Sequence, residues 1–179
     1  MIVLVLGGAR SGKSAVAERL AEALAGDRPA TVLATAVVAE DDADMAARVA
    51  AHRDRRPASW STVETGPDLV GALRSVTGTA LVDSVGTWVA SQPGLAADAG
   101  ELCATLRARA GHTVVVAEEV GLGVHPTSAA GRRFRDVVGD VNQAVASVAD
   151  HVLVVVAGRA LRLSRVDDLV GAVLGRDDR

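Results

Sequence analysis

Residues 2–14 read IVLVLGGARSGKS. Five apolar residues, Ile2 to Leu6, run without alternation, as a strand buried on both faces of a parallel sheet does. Gly7-Gly8-Ala9-Arg10-Ser11-Gly12-Lys13-Ser14 then matches G-x-x-x-x-G-K-S/T in full. Behind it Val16, Ala17, Leu20, Ala21 and Leu24 recur at helical spacing, and Gly26 stands where a helix C-cap belongs. Strand, glycine loop and helix in that order predict a P-loop.

The chemistry follows from residue type. Gly7 and Gly12 let the backbone take φ values that other residues resist, so its N–H groups can turn inward on a phosphate. The N-terminus of the next helix adds partial positive charge. Lys13 would reach the β and γ phosphates, and the Ser14 hydroxyl would hold Mg²⁺. A chance glycine turn is the alternative; motif, position and flanks together speak against it. The chain is expected to bind a nucleoside triphosphate.

Composition sets the frame around this loop. A length of 179 residues suits one domain with a real core. Hydrophobic residues make up 49%, yet aromatics only 2%, and small Ala and Val side chains suit tightly layered α/β packing. The excess of Arg, Ala, Gly and Val is a compositional bias that says nothing about activity. A net charge of -3 argues against a general nucleic-acid binder, which needs a basic surface. One cysteine, Cys103, excludes an internal disulfide and fits a reducing compartment. Residues 2–6 are too short for a membrane span, and no signal-peptide pattern precedes them. A cytoplasmic enzyme without membrane insertion is expected.

Further strands are predicted at 31–35 (TVLAT), 79–83 (TALVD), 113–117 and 152–156, with a short one near 62–64. Gly158 offers a turn into an alternating edge strand, Leu161-Arg162-Leu163, which would make an antiparallel hairpin. Helices are expected after the acidic run Glu40, Asp41, Asp42 and Asp44, with Asp41 or Asp42 as N-cap and Met45, Val49 and Ala50 on the apolar side. Others are expected from Pro67, over 101–110 and over 131–149, and residues 166–174 carry an amphipathic pattern. The stretch 91–100 reads as loop. Strands alternating with helices predict a mainly parallel sheet covered on both faces, a single-domain P-loop NTPase of RecA-like type. In such folds ligands sit beyond the carboxyl ends of the strands. That rule puts the glycine loop, Thr35, Asp83 and Glu118-Glu119 along one edge.

Asp83 closes an apolar strand and is either a metal-holding carboxylate, directly or through water, or a turn former before a helix. His52 lies among Arg48, Arg53, Arg55 and Arg56. That cationic setting disfavours the imidazolium and draws phosphates, as a histidine attacking phosphorus would need. Spacing alone favours a solvated basic helix end with an incidental histidine. His112 and His151 precede strands and look structural, and His125 stands in a loop without an obvious partner. No CxxC or HExxH spacing offers a zinc site. Arg132, Arg133 and Arg135 form a solvated face or help hold phosphate or a partner subunit.

Taken together, GGARSGKS (7–14), AT (34–35), DMAARVAAHRDRRPASWSTVE (44–64), LVDSVGTWV (81–89), VVVAEEVGLGVHP (114–126) and RRFRDVVGDVNQAVASVADHVLVVVAG (132–158) resemble one family. It is the bifunctional adenosylcobinamide kinase / adenosylcobinamide-phosphate guanylyltransferase family of cobalamin biosynthesis. The resemblance covers about residues 2–163 and leaves 164–179 as a tail outside it. It implies phosphorylation of adenosylcobinamide by ATP or GTP, then transfer of GMP from GTP to give adenosylcobinamide-GDP and pyrophosphate. It also implies a guanylylated histidine at His52. Nucleotide contacts carry over to Gly7–Ser14, Ala34, Thr35, Ala36, Arg53, Asp54, Arg55, Arg56, Glu64 and Asp83, with Mg²⁺ on Ser14 and Asp83. A homotrimer with a corrinoid substrate is implied as well. Position 36 is Ala where the family often has Ser, and position 83 is Asp where Glu can occur. Trp60, Trp88 and the 118–126 loop are candidates for the corrinoid surface.

Two rivals remain on sequence grounds. An ordinary small-molecule P-loop kinase would use Lys13 and Asp83 and leave His52 idle. A nucleotide-dependent switch would read guanine through N-K-x-D, and no such motif occurs.

Overall fold

The computed structural model describes residues 1–37, 47, 49–50, 53 and 55–174. The acidic run 40–44, Met45, Arg48, His52 and Asp54 lie outside the described residues. Seven strands form one sheet: β1 (Ile2–Gly7), β2 (Thr31–Ala34), β3 (Ser61–Glu64), β4 (Ala80–Asp83), β5 (Thr113–Glu118), β6 (His151–Val156) and β7 (Arg159–Leu163). Their order is β3-β2-β4-β5-β1-β6-β7. All neighbours are parallel except β6 and β7, the antiparallel hairpin predicted around Gly158.

Six helices are described: α1 (Lys13–Ala25), α2 (Leu69–Ser75), α3 (Val85–Ser91), α4 (Ala99–Ala108), α5 (Ala129–Val148) and α6 (Val166–Val173). Period-two alternation along the strands separates two cores. Val3, Val5, Val32, Leu81, Val114, Val116 and Val155 pack with Ala17 and Ala21 of α1 on one face. Ile2, Leu4, Leu6, Leu33, Val82 and Val115 pack with apolar residues of α2 to α5 on the other. Buried aliphatic side chains contribute about 1.5–3 kcal/mol each, and both layers hold the sheet from which the site projects.

Caps account for the helix starts. Asp68 accepts from Gly71 N–H at 2.9 Å, Asp98 from Glu101 N–H at 2.8 Å and Ser128 from Gly131 N–H at 3.0 Å. The last two start α4 and α5 two residues ahead of the sequence expectation. The segment read as loop over 91–100 therefore contains a single 3₁₀ turn, Pro93–Leu95, and the opening of α4. Among the described residues no helix is long and apolar enough to cross a membrane.

Candidate active site

Strand register gathers the site. Across the sheet Glu64 pairs with Ala34, Ala34 with Asp83, and Gly7 with both Glu118 and Val155. Glu64, Ala34, Asp83, Gly7 and Glu118 end their strands at the carboxyl edge, where the P-loop begins, and Val155 lies one residue short of the end of β6. Thr35 N–H donates to the Asp83 carbonyl at 3.2 Å and Glu119 N–H to the Gly7 carbonyl at 3.1 Å, so the edge is continuous.

The P-loop needs its glycines. A Cβ on Gly7 would collide with Ser11 Oγ and approach the Val155 carbonyl to 2.9 Å. Gly12, at φ 92°, sits in the left-handed region, and a Cβ there would lie 3.1 Å from Gly158 Cα. Gly158, at the β6–β7 turn, donates its N–H to the Ser11 carbonyl at 2.8 Å, so the hairpin tip braces the loop. Lys13 Nζ donates to the Gly8 carbonyl at 3.3 Å, folded back over the loop.

Arg56 is the electrostatic hub. Its side chain is 8% exposed, Nη2 meets Asp83 Oδ2 at 2.7 Å, and Nε lies 3.8 Å from Glu18 Oε1 on α1. Arg55 also reaches Glu18, at 3.3 Å, and Arg53 reaches Glu64 at 3.1 Å on the exposed rim. Three arginines downstream of His52 are thus tied to α1, β3 and β4. Glu18 was not singled out in the sequence. Its place one helical turn beyond Ser14 is the signal that could have found it.

A second network lies under Asp83. The Asp83–Ser84 peptide is cis. Thr35, fully buried, donates its hydroxyl to the Ser84 carbonyl at 2.7 Å and accepts Ser84 N–H at 2.9 Å. Its hydroxyl also lies 2.6 Å from that of Thr87. The Thr35 hydroxyl is therefore spent inside the protein, and the residue fixes the turn after Asp83. Glu118 Oε1 accepts from Ser84 Oγ at 2.7 Å and Oε2 from Gly86 N–H at 2.8 Å.

Other candidates sort into structural roles. Trp88, a candidate for the corrinoid surface, is 3% exposed and donates Nε1–H to the Pro67 carbonyl, so it fills the core. Trp60 precedes β3, at the opposite edge of the parallel sheet from the P-loop, and packs against the α1-side core. The 118–126 stretch starts at Glu118, the end of β5 on the site edge, and exposes Leu122 and Val124. His125, which showed no partner in sequence, has Nδ1 2.8 Å from Arg135 Nη1, and Arg132 donates to the Pro126 and Thr127 carbonyls. These two arginines anchor the loop to α5. Elsewhere, burial pushes the Cys103 thiol up, with Arg107 opposing, and burial lowers Arg109, which donates to the carbonyls of Leu73, Val76, Gly78 and His112.

A glycine loop between β1 and α1, with a strand-end carboxylate on the same edge, defines a RecA-like P-loop NTPase. The fold agrees with solved structures. Flagellar accessory protein FlaH from Methanocaldococcus jannaschii superposes with a TM-score of 0.52 at 12% identity, covering 91% of this chain and 77% of that one. An ATPase from a bacterial type III secretion system gives 0.51 at 11% identity, covering 96% and 61%. Residues 3–163 match the cobinamide kinase / cobinamide phosphate guanyltransferase (CobU) family, and the chain belongs to it. The bifunctional adenosylcobalamin biosynthesis protein CobU of Salmonella typhimurium is 36% identical over 91% of this chain and 99% of its own length. CobU of Escherichia coli is 35% identical with the same coverage, and CobP of Pseudomonas aeruginosa is 37% identical over 89% and 95%. The resemblance read from the motifs is therefore borne out at family level.

Proposed function

We propose that this chain performs both steps of its family's chemistry at one nucleotide site. In the first, the aminopropanol hydroxyl oxygen of adenosylcobinamide attacks the γ-phosphorus of ATP or GTP. An O–P bond forms, the bond to the β-phosphate oxygen breaks, and the hydroxyl proton leaves to solvent. In the second, a ring nitrogen of His52 attacks the α-phosphorus of GTP and expels pyrophosphate. A phosphate oxygen of adenosylcobinamide phosphate then displaces the histidine, giving adenosylcobinamide-GDP. Splitting one nucleotidyl transfer into two displacements is the usual gain of a covalent intermediate.

The observation that carries this reading is the set of ion pairs that tie Arg53, Arg55 and Arg56 to the P-loop edge. Arg53 follows His52 directly in sequence, and in this reading the histidine acts from that same arginine-rich segment. In the proposal, backbone N–H groups of Gly8–Ser14 and the Lys13 ammonium hold the β and γ phosphates. Arg56 is available to exchange Asp83 for a phosphate oxygen, a partner suited to its planar fork. Ala34, Ala36, Glu64 and Asp54 complete the nucleotide contacts.

The donor chemistry of the edge fits Mg²⁺: one hydroxyl, Ser14, and one carboxylate, Asp83, with phosphate oxygens and water left to fill an octahedron. Bound with the nucleotide, that ion would neutralise charge on the transferring phosphate. We read residues 1–163 as the catalytic domain and 164–179 as an appendage, working in the cytoplasm. Exposed Val156, Leu161 and Leu163 on β6 and β7 support assembly, in this reading as a homotrimer. The test is direct. Purified protein, ATP, Mg²⁺ and adenosylcobinamide should yield the phosphate ester by mass spectrometry, and later addition of GTP should convert it to the GDP adduct. An unchanged corrinoid in both stages would overturn the proposal.

A further inference from the structure

The carboxylate of Glu118 has no role in the chemistry above, yet it is among the best-held side chains at the site. It ends β5, directly across from Gly7 of the P-loop strand, and β5 also flanks β4, which ends in Asp83. Both oxygens are aimed at the turn after Asp83: Oε1 accepts from Ser84 Oγ at 2.7 Å and Oε2 from Gly86 N–H at 2.8 Å. The seat is cut to fit, because a Cβ on Gly86 would overlap the Glu118 carboxylate. The backbone of Glu118 is fixed from the other side, its carbonyl accepting from Nδ2 of the buried Asn142 on α5 at 3.0 Å.

We propose that Glu118 is a positioning residue: by holding Ser84 and Gly86 it fixes the β4–α3 turn and thereby the direction of the Asp83 carboxylate. Thr35 grips Ser84 from β2 and Glu118 grips it from β5, so the residue after Asp83 is clamped between two strands. Both oxygens accept hydrogen bonds from the β4–α3 turn itself. The work is geometric and needs two hydrogen-bonding atoms at glutamate length, one for Ser84 Oγ and one for Gly86 N–H.

The proposal rests on reading Asp83 as the carboxylate that serves the nucleotide's metal, so Asp83→Asn is measured alongside. Glu118→Gln should keep the turn: its carbonyl accepts from Gly86 N–H, and its amide donates to a Ser84 hydroxyl that rotates to accept. Kinase kcat in E118Q should stay within about threefold of wild type, while E118A falls by about 100-fold, the scale of an ångström-sized misplacement. Ser84→Ala, which removes one of the two contacts, should fall between them at about tenfold. Calorimetry of ATP binding with and without Mg²⁺ supplies the second readout: E118A should lose the Mg²⁺-dependent gain in affinity and keep the Mg²⁺-free affinity. If E118A does not fold, E118Q against S84A gives the same comparison. E118Q as inactive as E118A, or S84A no slower than wild type, overturns the proposal. Should D83N leave the Mg²⁺ dependence intact, the reading of Asp83 fails first. Should D83N abolish it while E118A does not, only the role of Glu118 fails.

Discussion

Replacing Arg56 by Met keeps most of the side-chain volume and deletes the charge, which isolates the electrostatic term at the centre of the site. At an effective dielectric of about 20, the 2.7 Å contact to Asp83 is worth ~6 kcal/mol of attraction and the 3.8 Å contact to Glu18 ~4 kcal/mol, before desolvation. Desolvating three charged groups offsets most of that sum. The mutation, however, does not return the groups to water: Asp83 and Glu18, 14% and 12% exposed, lose their shared cation, and Arg55 at 3.3 Å still reaches Glu18. Breaking a buried pair in this way costs about 3–5 kcal/mol, and the residual exposure puts the expected loss near the lower end, ~3 kcal/mol. For a domain of this size that is a fall in Tm of about 6–12 °C. Adding Asp83→Asn removes one of the two carboxylate charges and should recover about half of the loss. Thermal and urea unfolding followed by circular dichroism, without nucleotide, measures both variants. R56M within about 0.5 kcal/mol of wild type, or a further drop on adding D83N, would refute Arg56 as the counter-ion of this site.

Other expectations follow from the same geometry. Lys13→Ala should weaken nucleotide binding by about 30-fold or more in calorimetry, because a charge-assisted contact to phosphate is lost. Gly12→Ala forces a Cβ into a backbone at φ 92° and against Gly158, and should cost about 1–2 kcal/mol in Tm measurements as well as nucleotide affinity. Arg109→Ala unties four backbone carbonyls at the opposite end of the sheet and should lower stability by about 2–4 kcal/mol without changing nucleotide KM. Cys103 has its thiol pushed up by burial, so its neutral form is favoured in the fold and that contribution is lost as pH rises above the range of a free thiol. Alkylation by iodoacetamide near neutral pH should therefore be slow in the native protein and fast in urea.

Much of this was legible from residue pattern. The unbroken run Ile2–Leu6 and the following glycine loop specified β1 and its burial, and the helical spacing behind them specified α1. Gly158 marked the hairpin, since its turn demands positive φ there, observed at 74°. The rule that ligands meet the carboxyl ends of parallel strands put Thr35, Asp83 and Glu118 on one edge before any contact was known. What escaped was non-local. The Arg56–Asp83 pair spans 27 residues, and nothing in either local sequence selects that partner among the arginines nearby. The helix α3 begins one residue after Ser84, and its Val, Thr and Trp are weak helix formers. Burial of Val85, Trp88 and Val89 holds it, which only packing reveals. The family resemblance implies Thr35 as a nucleotide contact, while burial turns its hydroxyl to the Ser84 turn.

The central claim is a covalent guanylyl-histidine at His52. Protein mixed with Mg²⁺ and GTP labelled at the α-phosphate, with no corrinoid present, is denatured and assayed for retained label. A phosphoramidate should be acid-labile and base-stable, should be absent from His52→Ala, and should be discharged by adenosylcobinamide phosphate before denaturation. Wild-type protein that binds GTP yet keeps no label would contradict the claim and leave a kinase without the transferase step.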